Sequence, residues 1–480
     1  MFLTARSMKD ERGTAMVLVV FLTAAIALLS VSLIDLVRGD SSRAATATVS
    51  DAAFQAAEAG LDDYTSKLLD DNQYFFHDVA VGESTRRASD GTLVAPGASS
   101  PTAWTFGTTW TYPNGKDKWR SLTNGYEYNL QVTGPTSTAA YTDIIATGRK
   151  QGTTSPVRVI EKWLRPASIA DFLMITNSDY TVGSGATTYG KIYAGIDSSG
   201  TAHNVTHNGT AYADIYAEGQ VNGSVTMMNG AKQYDSNSTP QIRTMLKQPI
   251  SFTRFSTSLV DIQRAAQLSG IYLNNAAVNA WRLSFLSNGT VDVYRCSGTN
   301  ETSSSAPTCS THESGFPKAV PANGAIYVEQ SVVVSGGTST CTDPDGTVLT
   351  NANCVNGRVT VASNGDIVVG DDIGWVQSGD DVLGLIGKND VVVAQWAPDV
   401  LHWRAGVLAQ TGARHSASSD GSHDTATFTG SQASNGSAFM DMFQTRYYNY
   451  DPSLLYLSPP WFPTVDYAYT TLLFRELPGS

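Results

Sequence analysis

Four cysteines, Cys296, Cys309, Cys341 and Cys354, have the spacing that most narrowly limits their chemistry. They fall into two pairs, each with its members thirteen positions apart in polar surroundings. Neither pair has the C-x-x-C spacing of a zinc site, and of the seven histidines only His312 stands close to one of them. The reading that follows is two disulfides. If paired sequentially, each closes a loop of about 14 residues and contributes roughly 3 kcal/mol through chain entropy. Crossed pairing fits the same spacing.

Two other groups have side chains suited to chemistry. His402, His415 and His423 fall within "LHWRAGVLAQTGARHSASSDGSH", a spread that reads as separate loop histidines on a polar surface, so no metal is expected. Asp366, Asp371 and Asp372 in "GDIVVGDD", and Asp343 with Asp345 in "DPDG", are paired acids of the kind that bind calcium or cleave glycosidic bonds. Asp beside Gly is equally what a tight turn requires. The chain contains no G-x-S-x-G elbow and no H-E-x-x-H, and "GLIGKND" lacks the spacing of a phosphate loop. Catalytic residues and cofactors are therefore both expected to be none.

Such side chains need a frame, and composition limits which one. The chain has 480 residues, 41% hydrophobic and 15% charged, with a formal charge of -12. That balance excludes sequence-independent binding to nucleic acid, which requires a basic face. Low charge leaves Ser, Thr, Asn and Gly to cover the surface.

Near the start, "ERGTAMVLVVFLTAAIALLSVSLIDLV" holds no charge from Thr14 to Ile34. At 1.5 Å per residue that stretch spans about 30 Å, the thickness of a bilayer core. A signal-peptide core is shorter and ends in a small-x-small cleavage site, which this run lacks. Arg6, Lys9 and Arg12 ahead of it keep the N-terminus cytoplasmic by the positive-inside bias. Beyond it, Val49, Ala53, Ala56, Gly60, Leu61, Tyr64 and Leu68 recur at steps of three and four, an amphipathic helix with one face to bury. Membrane and external parts can form one helix over 14–72, with Gly39 as a site for a bend.

Two stretches carry a family resemblance. A hydrophilic leader ending "DERG" directly before an apolar helix resembles the class III leader of type IV pilins and pseudopilins, and "DAAFQAAEAGLDDY" (51–64) resembles the segment that follows the membrane helix in PilX-type minor pilins. The resemblance covers roughly the first 70 residues. It implies cleavage after Gly13 by a prepilin peptidase, a mature chain beginning at Thr14, retention of the helix, and other pilin subunits as partners. Most pilins have a Glu at the fifth mature position; here that position is Leu18, and PilX-type proteins and the tip pseudopilin of type II secretion also lack that Glu.

Past the helix, "YEYNLQVTG" (126–134), "YTDIIATGRK" (141–150) and "PVRVIEKWLRP" (156–166) alternate as strands of a small antiparallel sheet, and the resemblance makes 80–166 a pilin-like module. From about residue 170 the chain becomes short Gly-bounded pieces such as "GKIYAG", "ADIYAEG", "GAIYVEQ", "GRVTVAS" and "GDIVVG". Each is too short to bury its own apolar face, so stacking as rungs of a β-solenoid is the natural solution, with a β-sandwich as the alternative. A helix near 257–268 is expected to interrupt the stack, and the aromatic and proline-rich end to cap it.

The expected fold class is α+β, mainly β. It comprises a leader (1–13), a long pilin-like helix (14–72, transmembrane over 14–34), a small antiparallel module (80–166) and a β-solenoid-like exterior domain (167–480). The expected role is non-enzymatic: a minor pilin or pilus-assembly component at the tip or in priming, anchored in the membrane, with an extracellular body that can bind a surface or glycan. The alternative is a membrane-tethered β-helix enzyme acting on cell-wall or extracellular polysaccharide.

Overall fold

The computed structural model describes residues 11–70, 109–112, 119–134, 141–154, 157–237, 241–246, 249–252, 255–343, 345–377 and 380–478. Most of the leader and residues 80–108 of the expected module lie outside them. The first element is a 60-residue helix, α1 (Glu11–Asp70), continuous through Gly39. It has two halves with different surroundings. Residues 16–41 are exposed all round, whereas Ala53, Ala56, Ala57, Leu61, Tyr64 and Leu68 are buried at the spacing read from the sequence.

That buried face lies on an antiparallel sheet. Its strands are β1 (Thr109–Tyr112), β2 (Arg120–Ser121), β3 (Tyr126–Thr133), β4 (Thr142–Lys150) and β5 (Val157–Ser168). Leu130 pairs with Ala146, and Ala146 with Ile160, so one apolar row faces the helix while alternate residues face away. Contact is close because both sides are small. A Cβ at Gly60 would lie 2.6 Å from the Tyr128 ring, and one at Gly148 would strike the backbone of Ala53 and Ala57. Polar clamps flank the seam: Tyr128 Oη donates to Asp63 at 2.8 Å, and Arg158 donates to Ser50 Oγ at 2.6 Å.

A further strand, Thr464–Leu477, pairs antiparallel with β5 and completes this sheet. The expected boundary had placed 464–477 in the distal domain. The chain therefore leaves the small sheet at β5, builds everything else, and returns to the neighbouring strand. The two crossings are tied by Ile169 N–H donating to Pro463 O at 3.2 Å and by a buried pair, Arg165–Asp171, at 2.6 Å.

The rest of the body is made of short parallel strands. Phe172–Thr176, Lys191–Ala194, Ile215–Ala217 and Gln233–Tyr234 stack in order, with Tyr193, Tyr216 and Tyr234 in one column. Two other parallel sheets take Tyr180–Val182, Val205–His207 and Val221–Asn222, and Thr187–Thr188, Thr210–Ala211 and Thr226–Met227. A second run stacks Ile271–Leu273, Ala325–Val328, Arg358–Ser363, Val382–Gly387, Val400–Ala409 and His423–Ser434. Its last strand pairs with Phe172–Thr176, Gln432 opposite Met174, so both runs join in one 14-stranded sheet.

This order corrects the expectation for the helix, α2 (Phe255–Ser269). Gln233–Tyr234 and Ile271–Leu273 lie at opposite ends of the main path, on the order of 40 Å apart at about 4.8 Å per strand. The segment between them, α2 included, carries the chain back along the stack instead of interrupting it. Ile262, Ala265 and Ala266 are buried, and Asn323 Nδ2 donates to Ala265 O at 2.9 Å.

The proline-rich end is corrected as well. Residues 458–463 lie across the side of the stack. Gly384 and Gly406 occupy one register column, where a Cβ would come within 2.8 Å and 3.0 Å of Pro459. Trp461 Nε1 donates to Asn323 O at 2.7 Å, and Arg358 donates to Ser458 O at 3.1 Å. A column of small residues leaves a shallow trough, and "SPPWFP" fills it.

Candidate functional site

Among the described residues, the bare half of α1 is a chemically distinctive surface. From Met16 to Val37 its apolar side chains are open to solvent, Leu18 being 69% exposed. Among the described residues this is one helix long and apolar enough to cross a membrane. Its few hydroxyls bond to the helix's own carbonyls: Thr23 to Val19 O at 2.9 Å, Ser30 to Ile26 O at 2.7 Å and Ser32 to Leu28 O at 3.0 Å. These three hydroxyls are satisfied without water, as a hydrocarbon setting requires. Gly13 and Thr14 lie in the first turns of the described helix.

The cysteines form Cys296–Cys309 and Cys341–Cys354, the sequential arrangement. The second bridge staples the hairpin Ser339–Thr342 and Val348–Val355, whose turn contains Asp343 and Asp345. Disulfides persist in oxidising compartments.

The three histidines part company. His415 stacks on Phe439, and its Nδ1 lies 2.8 Å from Ser416 O. His423 Nε2 lies 3.1 Å from Ala397 O. His402, near the start of Val400–Ala409, meets the stapled hairpin: Nδ1 is 3.2 Å from Asp343 Oδ2, and ligand atoms of Asp343, Asp345 and His402 all lie within 4.8 Å of one another. The hairpin turn positions both acids. Asp343 O accepts from Gly346 N–H at 2.9 Å, and Asp345 Oδ1 accepts from Thr347 N–H at 2.8 Å. His402 is positioned from behind, its backbone N–H donating to Asp372 Oδ1 at 2.8 Å.

Burial raises the Asp343 carboxyl above its ordinary range, with the Asp345 charge adding to the rise and His402 opposing it. Asp345, exposed, is held low by the Thr347 N–H. Burial raises Asp371 to about 6, although the N–H groups of Asp372 and Gly337 bind it. Asp366 and Asp390 do turn work: Asp366 Oδ1 accepts from Asp390 N–H at 3.2 Å, and Asp390 Oδ1 from Ala413 N–H at 2.6 Å. The sequence pairing of Asp343 with Asp345 was visible; their meeting with His402, 59 positions from Asp343, was not.

No protein-family model and no curated protein matches the chain. Among solved structures, the chain aligns with the crystal structure of competence-associated pilin ComZ from Thermus thermophilus. That alignment has 13% identity over 90% of this chain and 98% of that chain, at a TM-score of 0.25. A superposition that loose carries no argument here.

Proposed function

We propose that the chain is a pilin-like subunit, retained in a membrane by the apolar half of α1 and able to exchange lipid for the helices of sister subunits. The observation carrying this reading is the division of one unbroken helix: exposed and apolar over its first half, buried against a small antiparallel sheet over its second. A soluble protein would bury such a surface, whereas a helix that leaves lipid for a fibre keeps it free. The "DERG" junction and the "AFQAAEAG" segment support the PilX-type minor pilin assignment, with Gly13 and Thr14 flanking the bond cut by a prepilin peptidase.

The N-terminus then faces the cytoplasm and the disulfide-bonded body the exterior. The parallel strands, recurring in three sheets over Tyr180–Tyr234, favour a β-solenoid over a sandwich for that body. Its bulk suits a sparse, priming or tip position, where a non-enzymatic body displays an adhesive surface to a glycan or another cell. Intact-mass and N-terminal analysis of the membrane fraction tests the reading. It expects a mature chain starting at Thr14, and recovery of a soluble chain starting near residue 40 overturns it.

A further inference from the structure

The meeting of Asp343, Asp345 and His402 is not used by the pilin-like role. Three observations bear on it. First, the set is mixed: one imidazole and two carboxylates, brought from two distant parts of the chain into a space of 4.8 Å. Zinc bound to nitrogen and oxygen at about 2.0–2.2 Å in tetrahedral geometry holds neighbouring ligands roughly 3.3–3.5 Å apart. The His402 Nδ1 to Asp343 Oδ2 separation of 3.2 Å is close to that edge. Second, the ligands are oriented from behind. Asp372 holds the His402 backbone, Thr347 N–H holds Asp345, and the Cys341–Cys354 bridge fixes the hairpin that carries both acids.

Third, the local charge does not balance. Asp343 and Asp345 lie beside one imidazole with Asp372 behind its backbone, and Arg404, two positions on, reaches Asp343 only through its field, its hydrogen bonds going to another carboxylate. Its Nε donates to buried Asp451 at 2.7 Å while its guanidinium lies 3.6 Å above the Trp375 ring. Asp343 is 5% exposed, so solvent screens little of its charge, whereas Asp345 is exposed and opens the cluster to ions.

We propose that this cluster binds one divalent transition-metal cation of the zinc type, through a ring nitrogen of His402 and one oxygen each from Asp343 and Asp345, with water filling the exposed side. Imidazole selects such a metal over calcium, which prefers an all-oxygen shell. A bound ion would pin the stapled hairpin to the strand Val400–Ala409 and neutralise the acids.

The full chain, purified in detergent and stripped with EDTA, is titrated with zinc chloride by calorimetry and by equilibrium dialysis. The expected result is one zinc per chain. D345N, whose exposed site tolerates an amide, and H402Q should each weaken binding at least tenfold, consistent with loss of a ligand. Cobalt substitution should give a visible absorption band that D345N diminishes. Unsaturable binding, or equal affinity in D345N, overturns the proposal and leaves an ordinary Asp–His pair. Binding of calcium but not zinc overturns the assigned metal class.

Discussion

Single side chains decide two questions that the fold leaves open. Asp143 stands on the sheet face away from α1, half-buried and near Glu161 of β5. Burial, then the Glu161 charge, raises its carboxyl from 3.8 to about 6, while Trp163 and Arg475 of the C-terminal strand oppose the rise. A carboxyl whose folded pKa lies above its unfolded value stabilises the fold when protonated, so stability rises as pH falls from 6 towards 4. D143N should raise the melting temperature at pH 8, by clearly less at pH 4.5, and hardly at all below the unfolded value of 3.8, which fluorimetry of the detergent-solubilised chain would read. An equal gain at every pH would mean the charge is not the cause. Leu18 poses the other question. Under the pilin-like role proposed above, where an acid at this position would neutralise the N-terminus of a neighbour, Leu18, 69% exposed on the apolar half, would remove that demand. If that role holds, Leu18→Glu should give more frequent labelling along a fibre, as counted by immunogold; an unchanged distribution counts against the proposed priming or tip role.

At the scale of elements, the seam between α1 and its sheet rests on glycine. Gly148 of β4 has no room for a Cβ, because the Ala53 carbonyl and Ala57 nitrogen occupy that space, and these are backbone atoms that cannot rotate away. Gly148→Val should force the helix off the sheet and cost about 1–3 kcal/mol. Protease sensitivity near Asp70 and a lower melting temperature would report it. Gly39→Ala, where nothing lies within 4 Å, is the contrast: it should leave the seam intact, with a helix gain of about 1 kcal/mol. This seam was legible in the sequence because helical period and strand alternation are local signals: the strands 126–134, 141–150 and 156–166 appear as Tyr126–Thr133, Thr142–Lys150 and Val157–Ser168. The trough filled by residues 458–463 was not. Its signal is a small-residue column spread over Gly384 and Gly406, visible only once the register of the strands is known. His402 and Asp343 were hidden for the same reason, since no local period links residues brought together by a hairpin folding onto a distant strand.

Across the whole molecule, the body is an insertion in the small sheet, not an appendage after it. Local patterning predicts elements but not which distant strands pair. From sequence, Thr464–Leu477 therefore reads as part of the aromatic cap of the exterior domain, whereas it is a strand of the small sheet. The pairing places the entry and exit of the body side by side, Ser168 opposite Thr464. Mechanical load on the body thus reaches α1 through two neighbouring strands held together by their ladder. A consequence can be measured with two shortened chains. Joining residue 168 directly to 464 through a short turn, with Arg165→Thr so that its guanidinium is not left without Asp171, converts β5 and the C-terminal strand into a hairpin. The sheet then keeps every strand it has in the full chain, and the protein should enter the membrane and melt cooperatively. Ending the chain at 168 instead bares the long edge of β5, an open row of backbone donors and acceptors that invites pairing with other chains. That version should aggregate or be degraded in the membrane fraction. If both behave alike, the C-terminal strand is dispensable to the small sheet, and the body must be treated as a separate unit hung from β5 alone.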